Sequence, residues 1–185
     1  YEMIGEYKFS IGILEQLVLL NPKSTSMAQK LANLYLKIGL PFKARDIYRS
    51  VIDRGLVSAE IYYEYAMICV KTNDFDNAER IFKKVLALNP NSARTHKDLG
   101  VIYLNKRMFE YAKDEFDKAY ELDPENKDIV FEYANYLHAT GDFVKADEMY
   151  KYALSQAPED VNFLTFAAKN KMSLNDNEAA YSMLL

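Results

Sequence analysis

The chain has 185 residues, half of them hydrophobic and 27% charged, with a formal net charge of −4. One cysteine excludes an internal disulfide, and no run approaches the ~18 consecutive apolar residues of a membrane-spanning helix. The acidic balance argues against nucleic acid, whose phosphates need a basic face.

In chain order, residues 1–24 read as the tail of a helical hairpin: Gly5 marks a turn, a helix follows it, Pro22 ends that helix and Ser24 is suited to cap the next. Four full hairpins follow at 25–58, 59–92, 93–126 and 127–160, and a shortened one at 161–185. Their phase is set by Ala44, Ala78, Ala112, Ala146 and Ala180, which recur every 34 residues. A fixed period of this length predicts an all-α solenoid, a stack of antiparallel helix hairpins in which each unit packs on its neighbours. Position 1 of a repeat is taken here as the residue 19 before its alanine. The first helix (helix A) then covers about positions 1–14 and the second (helix B) about 17–30.

Each column has a physical reason. The small residue at position 20 lets the two helices approach closely. A large one at position 24 (Leu14, Tyr48, Phe82, Phe116, Tyr150, Leu184) fills the space beside it. Position 15 reads Gly5, Gly39, Asn73, Arg107, Gly141 and Asn175; all but Arg107 tolerate the left-handed backbone that a tight turn requires. Pro22, Pro90, Pro124 and Pro158 share position 32, where helix B stops, with Leu56 as the exception. Ser24, Ser58, Ser92, Asn126 and Asp160 at position 34 are suited to cap the next helix.

These columns resemble the tetratricopeptide repeat (TPR) family, whose pattern is W-x2-L-G-x2-Y, then A-x3-F, then P. Repeat 93–126 matches with Leu99, Gly100, Tyr103, Ala112, Phe116 and Pro124, and has His96 in the Trp slot. The resemblance covers the whole chain. It implies a right-handed superhelical solenoid whose inner groove is lined by the first helix of each hairpin. Both chain ends fall inside hairpins, which predicts a piece of a longer repeat protein.

No catalytic constellation, cofactor motif or metal-ligand spacing is found. His96 and Cys69 fall on core columns, and His138 has no Cys, Asp or second His at ligand spacing. Positions 4, 7, 8 and 11 of helix A face the packed side. Positions 2, 5, 9 and 12 are left for a partner. There the sequence places an apolar band of Tyr63, Met67, Val70, Val101, Leu104 and Phe131. Asn33 and Asn135 are placed to hydrogen-bond an extended peptide, Arg94 and Lys97 form a positive spot, and His138 lies on the same side.

The family's known capture of a chaperone C-terminal carboxylate fails by position. In the best register its slots hold Gln29, Asn33, Glu64, Arg94 and Asp98, with two acids where the ligand's own charge would sit. This argues against an Hsp70/Hsp90 C-terminal tail as partner. The expected function is therefore a non-enzymatic scaffold or adaptor, cytoplasmic, binding a partner peptide or helix in the groove. It needs no cofactor, nucleic acid or membrane insertion. Two alternatives stand beside it: a homo-oligomer formed through terminal faces bearing Ile4, Leu14, Leu164 and Leu184, or a docking segment of a larger enzyme.

Charge is uneven along the chain. Residues 1–57 carry net +3, 58–109 net +2, and 110–160 net −9, from 5 Lys/Arg against 14 Asp/Glu. This fits solvated outer helix faces, or electrostatic choice of a partner or of another copy.

Overall fold

The computed structural model describes the backbone of residues 2–184 and the side chains of residues 7–184. Among these residues the secondary structure is entirely helical. Two compact units divide at Pro90 and Asn91.

The first unit holds α1 (Glu2–Leu20), then the hairpins α2 (Thr25–Lys37) with α3 (Pro41–Asp53), and α4 (Ala59–Lys71) with α5 (Phe75–Leu88). The second holds α6 (Ala93–Asn105) with α7 (Phe109–Leu122), α8 (Lys127–Thr140) with α9 (Phe143–Gln156), and α10 (Val161–Ser173) with α11 (Asn177–Leu184).

Every hairpin closes the same way. Gly39, Asn73, Arg107, Gly141 and Asn175 all have φ between 57° and 89°. At each, the following N–H bonds back to the carbonyl five residues earlier: Leu40 to Tyr35, Asp74 to Cys69, Met108 to Tyr103, Asp142 to Leu137 and Asp176 to Lys171. Together with the bond from each left-handed residue's own N–H to the carbonyl three residues earlier, this closure satisfies orphan carbonyls at the helix end. Arg107 adopts it despite its Cβ, so hairpin packing overrides the local preference there. The turn predicted at Gly5 does not form, and α1 is continuous through it.

Helix starts follow the predicted caps with one exception. Ser24, Ser58, Asn126 and Asp160 accept backbone N–H groups. Ser92 does not; its hydroxyl pairs with that of Thr95 at 2.7 Å instead. Where Leu56 replaces proline, Gly55 at φ 75° ends α3, and Leu56 N–H bonds back to Val51 O.

The cores follow the columns. The five phase alanines are 0–1% exposed, and Tyr48, Phe82, Phe116 and Tyr150 are equally buried. At the ends the column opens: Leu14 is half-buried and Leu184 is exposed. Gly100 of α6 lies under Phe116 of α7, and a Cβ there would come within 2.9 Å of three ring carbons. That contact explains glycine inside a helix, where it otherwise costs about 1 kcal/mol relative to alanine.

Candidate functional site

The second unit contains a cleft of about 520 Å3, within the size range of ligand and side-chain pockets. One wall is the end of α6, the turn after it and the start of α7, with Val101, Leu104, Arg107 and Phe109. α8 contributes Glu132, Asn135, His138 and Ala139, and α10 contributes Phe166 and Lys169. Tyr150 of α9, only 1% exposed, forms the floor. The three A helices of this unit therefore converge on one largely apolar depression.

Four of the predicted site residues meet here: Val101, Leu104, Asn135 and His138, all half-buried. The others lie elsewhere. Arg94 is exposed on α6, and Lys97 pairs with Asp98 at 3.1 Å. Phe131 is 7% exposed, stacked on Phe163 with centroids 4.2 Å apart, so it supports the packing of α8 on α10 and is not a free anchor. In the first unit Asn33 is exposed on α2, while Tyr63, Met67 and Val70 are half-buried on α4. Tyr63 also packs against Phe82, with centroids 5.5 Å apart. Of the proposed association faces, Leu14 and Leu164 are half-buried and Leu184 is 55% exposed, while the Ile4 side chain lies outside the described residues.

Polar groups in the cleft are held by one another. The Tyr150 hydroxyl donates to Asn135 Oδ1 at 2.6 Å, and Asn135 Nδ2 donates to Glu132 Oε2 at 3.1 Å. Asn135 was expected to serve a peptide backbone; its oxygen is instead committed to Tyr150, leaving one amide N–H. Burial pushes the Glu132 carboxyl above its ordinary value, against the opposing pull of Asn135 and Lys97. Burial, then the charge of Glu132, likewise raises Tyr150, which stays a protonated donor.

His138 Nδ1 meets Asn170 Oδ1 at 2.9 Å, and Asn170 Nδ2 donates to Phe143 O at 2.9 Å. Because that N–H faces a carbonyl, Asn170 presents its oxygen to the imidazole, and Nδ1 is the donor.

Outside the cleft, His96 is 8% exposed and meets Glu115 at 2.6 Å. Burial would raise Glu115, but hydrogen bonds from His96 and Lys118 outweigh it and hold the carboxyl below its ordinary value. Cys69 is fully buried, and burial pushes its thiol up to about 11, the profile of an inert packing residue.

The family model described as the cytochrome c-type biogenesis protein H TPR domain matches residues 86–184, and the tetratricopeptide repeat model matches residues 59–92. The chain belongs to the tetratricopeptide repeat family. A TPR protein from Parabacteroides merdae superimposes with a TM-score of 0.83 at 16% identity, covering 99% of this chain and 73% of that one. Pseudomonas aeruginosa pilF gives 0.78 at 19% identity, covering 99% and 83%. BBSome complex member BBS4 of Bos taurus is 23% identical over 149 residues, 80% of this chain. The chain spans 28% of the length of that relative. No helix among the described residues is long and apolar enough to cross a membrane.

Within the TPR frame, two pairings missed above have sequence signals. Position 10 reads Leu34, Ile68, Ile102, Tyr136 and Asn170, so Asn170 is the amide in an otherwise apolar or aromatic column. In the four full repeats positions 9 and 24 vary together by residue type: Asn135 with Tyr150 and Asn33 with Tyr48, against Met67 with Phe82 and Val101 with Phe116. The hydrogen bond forms only in the first of these pairs, the buried Tyr48 hydroxyl having no partner among the described residues. An amide goes with a hydroxyl, and an apolar residue goes with Phe. Accordingly, Asn135→Val is expected to lower stability by about 1–3 kcal/mol, because it strands the buried Tyr150 hydroxyl. Adding Tyr150→Phe should restore most of the loss, since the pair then copies Val101 with Phe116. Denaturant midpoints of the single and double variants measure this coupling.

Proposed function

We propose that the chain is a non-enzymatic protein-interaction scaffold or adaptor, and that the cleft of the second unit seats an anchor side chain of a partner peptide or helix. The observation that carries this reading is the convergence of Val101, Leu104 and Phe166, from two A helices, on an open apolar depression with a buried aromatic floor. Such depressions are where interface energy concentrates, because an inserted side chain is fully desolvated there. Family membership supports the class of function, and the bovine relative is by its name a member of a protein complex.

The sharpest test is Val101→Asp, which puts a charge on the cleft wall. Partner proteins recovered on the immobilised chain should be lost with this variant, while its far-ultraviolet helical signal stays unchanged. Equal recovery by the variant would reject the cleft as the binding site.

A further inference from the structure

The second unit, residues 91–185, is acidic, with 11 Lys/Arg against 17 Asp/Glu. Most of its cations are already engaged. Lys97, Lys113, Lys118, Lys145, Lys151 and Lys171 are in ion pairs. Arg94 and Lys106 have interactions of their own, whereas Arg107, Lys127 and Lys169 make no ion pair among the described residues, and two of these three line the cleft. Arg107 stands on the turn between α6 and α7, and Lys169 on α10. Both are exposed, so the apolar depression has unneutralised positive charge on two different walls. No ion pair ties up either cation, so each keeps its charge for a ligand.

We infer that the cleft selects an internal acidic segment of a partner, in which one large apolar side chain enters the depression while flanking Asp or Glu carboxylates pair with Arg107 and Lys169. This rests on the cleft being the partner site. The surrounding negative charge has a use in this arrangement. The unit's net negative charge disfavours long polyanions as a whole, and so favours a short, correctly registered segment. Glu132 is the one carboxylate in the lining. It lies beside the floor, bonded to Asn135, where burial disfavours its charge and the apolar side chain, not the carboxylates, would meet it. The positions differ from the carboxylate-capturing slots, which hold Glu64 and Asp98 here.

The test is selection from a random-peptide phage library whose inserts carry no free C-terminal carboxylate. It is run on the chain, on Arg107→Glu/Lys169→Glu, and on the uncharged cleft variant Leu104→Asn, with helical signals compared. The expected result is enrichment of Asp or Glu around a large apolar residue. A retrieved peptide should bind about ten-fold more weakly to the double charge-reversal variant and lose affinity as salt rises. Neutral or basic enriched peptides that still depend on Leu104 would overturn the acidic preference and leave the cleft as the site. Equal enrichment on the chain and on Leu104→Asn would overturn both.

Discussion

Phe116→Ala is expected to destabilise the second unit by about 3–5 kcal/mol, the range for removing a fully buried aromatic ring. The ring is 0% exposed. It lies nearly parallel to Tyr133 with centroids 5.8 Å apart, and its centroid is 5.7 Å from that of Tyr136, so it joins α7 to α8. Its other side covers Gly100 of α6. Glycine has no side chain to relax into the space left behind, so the site cannot collapse and the cavity contribution should be near its upper end. In a repeat array stability is carried by contacts between neighbours, and a lesion that touches α6, α7 and α8 loosens two hairpins together. Urea midpoints measured by circular dichroism give the loss directly; a change below about 1 kcal/mol would mean that the ring is not packed as described.

Asn170→Ala is expected to cost about 2–4 kcal/mol, although it removes only a small amide. Asn170 is 0% exposed, and its side chain satisfies Phe143 O and His138 Nδ1 at once. Alanine leaves the Phe143 carbonyl without this partner and lets the imidazole turn. Since His138 lines the cleft, the variant should also weaken binding, whereas Phe116→Ala acts on binding only through stability. The binding deficit should persist under conditions where Asn170→Ala remains folded by its helical signal. A folded Asn170→Ala variant with unaltered affinity would show that His138 does not need this support.

The repeat itself was readable because its columns are backbone and packing requirements: a small residue where helices touch, a left-handed residue where they turn, a cap where they start. Arg107 shows the limit of reading such columns by residue type, since the closure it adopts is imposed by the packing of the helices on either side. Gly5 shows the converse, a residue type suited to a turn that stands inside a continuous helix. Helical spacing places Phe131 on the open face. Spacing does not say how near the following A helix comes, and Phe163 covers it. Asn135 and Asn170 were legible only when two columns were compared, or one column was searched for its polar exception. The cleft residues Phe109, Tyr150, Phe166 and Lys169 come from α7, α9 and α10, helices of three successive repeats, a convergence that no single helix pattern contains.

Hydrogen–deuterium exchange of the chain, alone and with a bound partner, tests the central claim most directly. Slowed exchange should appear in residues 101–109, 132–139 and 166–169 together, the three segments that wall the cleft. Protection confined to the outer faces of α7 and α9, with those three segments unchanged, would contradict it.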